Sequence, residues 1–270
     1  MSSRRRAGRR LQRRTPGLRL WRRIAALVAV SGIVVAAAAS VWLLLSPGSG
    51  GPPTAAIVDQ LSLTTPNQAF VEEATDLLGA AGYDVIYVPG EQVTVEFYRD
   101  LSASGYDVIL LRAHAARQAL EVEFADDVSL FTSERFNPNR YTEEGRRRLL
   151  TGVGYTQEDV EEGDLFYGIP PAFVESKMRG DFGGATVVLM GCDVLRAEAM
   201  AQAFVERGAG AVVGWDKSVT APHTDAATLS LLRHFLSEDL PVQQSAEAAM
   251  ADVGSDPATG AALLAYPRGP

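Results

Sequence analysis

A histidine and the chain's single cysteine each close a short apolar run. Residues 106–113 (YDVILLRA) lead into His114, and residues 184–191 (GATVVLMG) lead into Cys192. Runs of this length and β-branched content suit strands buried on both faces of a parallel sheet. In open α/β sheets the ligand crevice lies beyond the carboxyl ends of the strands. If the two strands are neighbours, an imidazole and a thiol share one crevice. A thiolate attacks a carbonyl far faster than a thiol does, and an adjacent imidazole can take the proton. The tetrahedral oxyanion then needs backbone N–H donors. Cys192 itself and the residues just after His114 could supply them. Gly191 permits the sharp turn that exposes a nucleophile. A helix starting after Cys192 would turn its positive end toward the sulfur and favour the thiolate. The opposing reading is that Cys192 is a small buried hydrophobe. A lone cysteine excludes an intramolecular disulfide.

The elements that must position these two residues follow a regular order. Ala55–Asp59 reads as a first strand, and residues 67–81 carry apolar residues at helical spacing, ended by Gly82. Asp84–Val88 is a second strand. Thr94 can cap a short helix through Ser102. With the strand ending at His114, this makes a β-α-β-α-β unit, for which a parallel sheet with right-handed crossovers is the economical topology. The middle differs. Residues 119–131 contain the alternating stretch Leu120–Phe124 and predict a hairpin. A helix is expected from Thr142 to about Leu150, and 151–183 reads as an irregular rim beside the crevice. After the strand that ends at Cys192, helices are expected over 197–207, 222–236 and 242–252, with a short strand at 208–215 and Thr220 capping the second helix.

The ends of the chain differ sharply in charge. Ten Arg and no acid lie in residues 1–23, which leaves 15 basic residues against 33 acids elsewhere. A body this acidic argues against nucleic acid as a partner, because phosphate binding needs a basic face. Residues 24–45 hold no charge over 22 positions, long enough to span a bilayer as a helix, with Trp21 and Trp42 near the ends. Arg upstream and none immediately downstream predicts a cytoplasmic N-terminus. A cleaved signal peptide is the competing reading, with Ala36–Ala39 imitating a cleavage site. The apolar run, however, continues through Val41–Leu45. Arg9-Arg10 and Arg13-Arg14 resemble twin-Arg export signals, but Arg pairs are unavoidable in so basic a segment. The expected organisation is an Arg-rich head (1–23), a transmembrane helix (24–45), a Gly/Pro/Ser linker (46–53) and an α/β domain (54–270).

Lesser candidates remain. Asp193 could recognise a basic substrate side chain or face solvent. Trp215 could wall a pocket or simply pack. His223 and Asp225 sit at a helix start, where Thr and Asp are ordinary capping residues, or line the same crevice. His234 near a helix end reads as structural. Glu143-Glu144 and Glu161-Glu162 read as solvated faces. One Cys and three His give no zinc-ligand spacing, so no metal or other cofactor is expected.

The order of strand and His, rim, strand and Gly-Cys, helix, then residues 204–215 (FVERGAGAVVGW) resembles the caspase–gingipain–separase clan of cysteine peptidases, and its CHAT branch most in flavour. The likeness covers about residues 55–250 and rests on two short motifs. It implies a mainly parallel caspase-like sheet with helices on both faces. It also implies His114 as general base, Cys192 as nucleophile, and the backbone N–H groups of Ala115 and Cys192 as oxyanion donors. The chain departs from the clan in having Ala115 where Gly usually follows the His, and Met190-Gly191-Cys192-Asp193 in place of a Gln-Ala-Cys context. Its His-to-Cys separation of 78 residues also exceeds the caspase interval of about 50. The resulting expectation is a membrane-anchored cysteine peptidase acting on a polypeptide. The alternatives are a non-catalytic, membrane-tethered binding or sensing module of the same fold, and a metal-dependent hydrolase using His114, His223 and Asp225.

Overall fold

A computed structural model describes residues 51–117 and 128–268. The Arg-rich head, the apolar 24–45 stretch and the alternating Leu120–Phe124 run lie outside the described residues. Among the described residues no helix is long and apolar enough to cross a membrane.

Six strands form the main sheet: β1 (Thr54–Asp59), β2 (Asp84–Pro89), β3 (Val108–Arg112), β8 (Thr186–Leu189), β9 (Ala211–Trp215) and β10 (Leu263–Tyr266). Their spatial order is β10-β9-β8-β3-β1-β2, parallel except for β10, which runs antiparallel to β9. The expected β-α-β-α-β unit is present, with β2 and β3 on opposite sides of β1. The chain therefore changes winding direction between β1 and β3, the switch point at which such sheets open a crevice.

Alternation within each strand explains why the apolar runs are nearly unbroken. Ala55, Ile57, Val108, Leu110 and Val188 face one layer, packed with Phe70, Ala74 and Leu78 of α1 (Gln68–Ala80). The helices α7 (Ala221–Ser237) and α8 (Val242–Val253) complete that layer. Ala56, Val58, Ile109, Leu111, Val187 and Leu189 face the other layer, against α2 (Val95–Leu101), α5 (Pro171–Lys177) and α6 (Ala199–Glu206). Each face must exclude water, so polar residues are confined to the strand ends.

Local signals account for most helix limits. Asn67 and Thr94 accept hydrogen bonds from the N–H groups of Phe70 and Phe97 at the starts of α1 and α2. Gly82, with φ of 89°, follows the last turn of α1 in the left-handed conformation that glycine tolerates. Thr220 behaves differently from its expected capping role. It precedes α7, but its side chain makes no cap, and its hydroxyl donates to Asp256 instead.

The middle of the chain folds into a second, antiparallel sheet of order β4-β5-β7-β6. Its strands are β4 (Ala115–Arg117), β5 (Val128–Arg135), β6 (Thr151–Val153) and β7 (Phe166–Ile169). The β4–β5 pair is a hairpin, with Ala115 opposite Leu130. The helix expected from Thr142 is the single turn α3 (Thr142–Arg146). The 151–183 rim is more regular than its Gly and acid content suggests. It holds β6, α4 (Gln157–Glu162, closed by a Thr156–Asp159 capping box), β7 and α5. Leu130, Tyr167 and Ile169 of this sheet join the core that covers β3 and β8, so the two sheets share one apolar layer.

Candidate functional site

Strands β3 and β8 are hydrogen-bonded neighbours, in register from Val108–Thr186 to Leu111–Leu189. The Met190 N–H donates to the Leu111 carbonyl at 3.0 Å, carrying the pairing one residue further. Gly191 then passes so close to the flanks of His114 that a Cβ there would lie 2.7 Å from the Ala113 carbonyl oxygen and 2.8 Å from the Ala115 Cβ. This contact, rather than turn flexibility alone, is why glycine precedes the cysteine. His114 and Cys192 thus leave adjacent strands at the same level, each half-buried.

Four groups fix His114. Its N–H donates to Gln60 Oε1 at 3.0 Å, and its Nε2 lies 2.9 Å from Thr64 Oγ1. Its ring stands edge-on to Tyr155 at 4.9 Å and against Phe131 at 5.7 Å. Gln60 is buried and also donates to the Tyr155 hydroxyl at 3.0 Å, so one side chain ties the β1 end to the second sheet across the imidazole. Burial, reinforced by the Arg112 charge, lowers the His114 pKa to about 4. The imidazole is neutral at pH 7. With its proton on Nε2 toward Thr64, Nδ1 keeps the lone pair a base requires.

Cys192 faces the opposite neighbour. Val219, in the loop after β9, donates its N–H to Sγ at 3.4 Å, and the thiol donates to the Val219 carbonyl at 3.6 Å. Burial pushes the thiol pKa up, the Val219 and Ser218 hydrogen bonds oppose that, and the Asp193 and Asp256 charges add to it. The helix expected over 197–207 is α6, whose first residue, Ala199, lies seven residues beyond Cys192. The intervening chain first runs beside β9, where the N–H groups of Asp193 and Leu195 are spent on the carbonyls of Lys217 and Trp215. Of the expected oxyanion donors, the Ala115 nitrogen lies 3.3 Å from the position a Gly191 Cβ would take, facing the Cys192 segment.

The other sequence candidates have different roles. Trp215 is fully buried and its indole N–H donates to Thr224 at 2.9 Å, so it packs in the core. Asp193 is buried in a left-handed turn (φ 59°), accepts from the Ser218 hydroxyl at 2.9 Å and lies 3.7 Å from Arg196. His223 reaches the Gly254 carbonyl at 3.1 Å and rests on Trp215. Asp225 is buried against Arg112. His114, His223 and Asp225 do not converge, and among the described residues no group of three His, Cys, Asp or Glu could hold a metal ion. His234 bridges Glu238 and Asp252 on the helical surface.

Beneath the histidine lies a charged cluster that sequence reading missed. Arg112 is 0% exposed, and its guanidinium binds Asp59 at 2.8 Å, Asp225 through two nitrogens at 2.7 and 2.9 Å, and the Thr65 carbonyl at 2.9 Å. It also lies over the Phe70 ring at 5.6 Å. A signal for part of it exists in the sequence. Asp59 and Arg112 end two apolar strands, and they are register partners across β1 and β3. Comparison with protein-family models gives no match, and neither does comparison with curated proteins.

Proposed function

We propose that this chain is a membrane-anchored cysteine peptidase with a caspase-like fold, working through His114 and Cys192. The observation that supports it best is their emergence from adjacent parallel strands, at matched height, next to the switch point of the sheet. On this reading the apolar 24–45 segment anchors the chain with its N-terminus in the cytoplasm, and the α/β domain works on the other side.

The chemistry begins from an uncharged pair. The thiol proton leaves the Val219 carbonyl for the neutral imidazole as sulfur attacks the amide carbon. The oxyanion is met by the N–H groups of Ala115 and Cys192. The imidazolium returns its proton to the leaving amine, and water then cleaves the thioester. A pKa lowered to about 4 keeps the His114 imidazole unprotonated through the neutral range, while making it a weaker acceptor for the thiol proton.

The second reading, a non-catalytic binding module, draws on one observation: the sulfur is engaged by Val219 rather than by the imidazole. A fluorogenic peptide library decides between the two. The peptidase reading expects turnover that is lost in both Cys192→Ala and His114→Ala, with Cys192 trapped as a thioester or by a peptidyl electrophile. Absence of turnover and of trapping, in a chain whose Cys192→Ser variant folds normally, supports the binding module.

A further inference from the structure

The loop that holds the sulfur is itself held by the C-terminal turn. Asp256 is 1% exposed, and its carboxylate accepts from the Thr220 N–H (2.8 Å), the Thr220 hydroxyl (2.7 Å) and the N–H groups of Ala258 (2.8 Å) and Thr259 (3.2 Å). Its backbone closes the same turn: the Asp256 N–H donates to Ala261 and the Gly260 N–H to Asp256. Further ties join this turn to the loop after β9, among them the Asp216 N–H donated to the Ala262 carbonyl at 3.2 Å. The Ala262 N–H donates to Asp216 Oδ1 at 2.7 Å, and Lys217 Nζ donates to the Gly260 carbonyl at 3.0 Å. The residue before Thr220 is Val219, whose N–H donates to Cys192 Sγ. One residue earlier, Ser218 donates to Asp193, beside the cysteine.

We infer that Asp256 is a positioning residue for Cys192, anchoring the loop so that the Val219 N–H meets the sulfur. The inference rests on the proposed function for its catalytic meaning, though not for its test. An N–H donated to sulfur stabilises the thiolate over the thiol. The charged groups facing the sulfur are the Asp193 and Asp256 carboxylates, both of which oppose ionisation, and Ser218 adds a hydroxyl. The Asp256 carboxyl is pushed up by burial, yet the Thr220, Ala258 and Thr259 donors outweigh this and hold it at about 2. It therefore stays ionised through any thiol titration.

This gives the two possible roles of Asp256 opposite signs. If it acted on Cys192 only through its charge, removing it would make the thiol easier to ionise. If it acts by placing Val219, removing it takes the Val219 N–H from the sulfur. The thiol then becomes harder to ionise provided the loop keeps the sulfur buried, which an unchanged labelling rate of the fully ionised thiol at high pH would verify. The experiment is the pH dependence of iodoacetamide labelling of the full chain in detergent. With one cysteine, it reads Cys192 alone. Asp256→Ala is expected to slow labelling at neutral pH by about three- to tenfold, with its midpoint moved to higher pH. Thr220→Val, which removes only the hydroxyl contact, is expected to move it the same way by a smaller factor, and it stands in if Asp256→Ala loses its native circular dichroism. Faster or unchanged labelling in a folded variant overturns the inference. Labelling changes as expected in a chain without peptide turnover would leave the inference standing and remove the peptidase reading.

Discussion

His114 is held by contacts that leave it neutral, and this has two measurable consequences. Its pKa falls from 6.5 to about 4 on folding. Between those values the unfolded chain binds the extra proton, so stability rises with pH across that window. The contribution is full above about 6.5 and lost below about 4, with a depth of at most about 3 kcal/mol. Unfolding free energies of wild type and His114→Gln from urea titrations between about pH 4 and 7 are expected to diverge by up to that amount across the window. Turnover of a peptide substrate is expected to keep its acid limb near pH 4 instead of near 6.5. Arg112 is a separate case. Arg112→Met leaves the Asp59 and Asp225 carboxylates buried without their partner, and is expected to cost about 3–5 kcal/mol in urea unfolding. The placement of His114 and Cys192 just beyond the ends of neighbouring strands was legible in the sequence because each closes an apolar run. Asp225 as an ion-pair partner was not, because 113 residues separate it from Arg112 and only the packing of α7 brings them together.

At the scale of elements, Gly191 is the junction between β8 and Cys192. Gly191→Ala is expected to force the Ala113–Ala115 backbone aside, costing about 1–3 kcal/mol and lowering turnover at least tenfold, while Gly210→Ala tests an equally tight glycine far from the site. Reduced turnover with an unchanged His114 acid limb identifies displacement of the sulfur rather than of the base. The central strands were readable because they are buried on both faces and so leave unbroken apolar runs. Strands β6, β7 and β10 were not. They are three or four residues long, flanked by Gly, Pro or acids, and exist because a neighbouring strand supplies the hydrogen bonds. The antiparallel pair formed by 115–117 and 128–135 brackets the alternating Leu120–Phe124 run, which lies outside the described residues.

For the whole molecule, the sequence carries a division that the folded domain does not need. The Arg-rich head and the uncharged 24–45 stretch precede a domain whose first strand begins at Thr54. On the proposed anchoring, the full chain is expected to stay with membranes through an alkaline carbonate wash and to require detergent for release. Release by carbonate alone would point to peripheral attachment and remove the spanning segment from the proposal. The acidic body predicts weak binding to polyanions. Retention on heparin that is lost on removal of residues 1–23 would show that the head, and not the 15 basic residues of the acidic body, supplies the polyanion-binding face.

Only Ala113 and His114 separate the last residue of β3 from the first of β4. The imidazole therefore sits at a corner where the backbone leaves one sheet and enters the other. Any shift of the smaller sheet against the main one would have to be taken up across these two residues, and so at the imidazole.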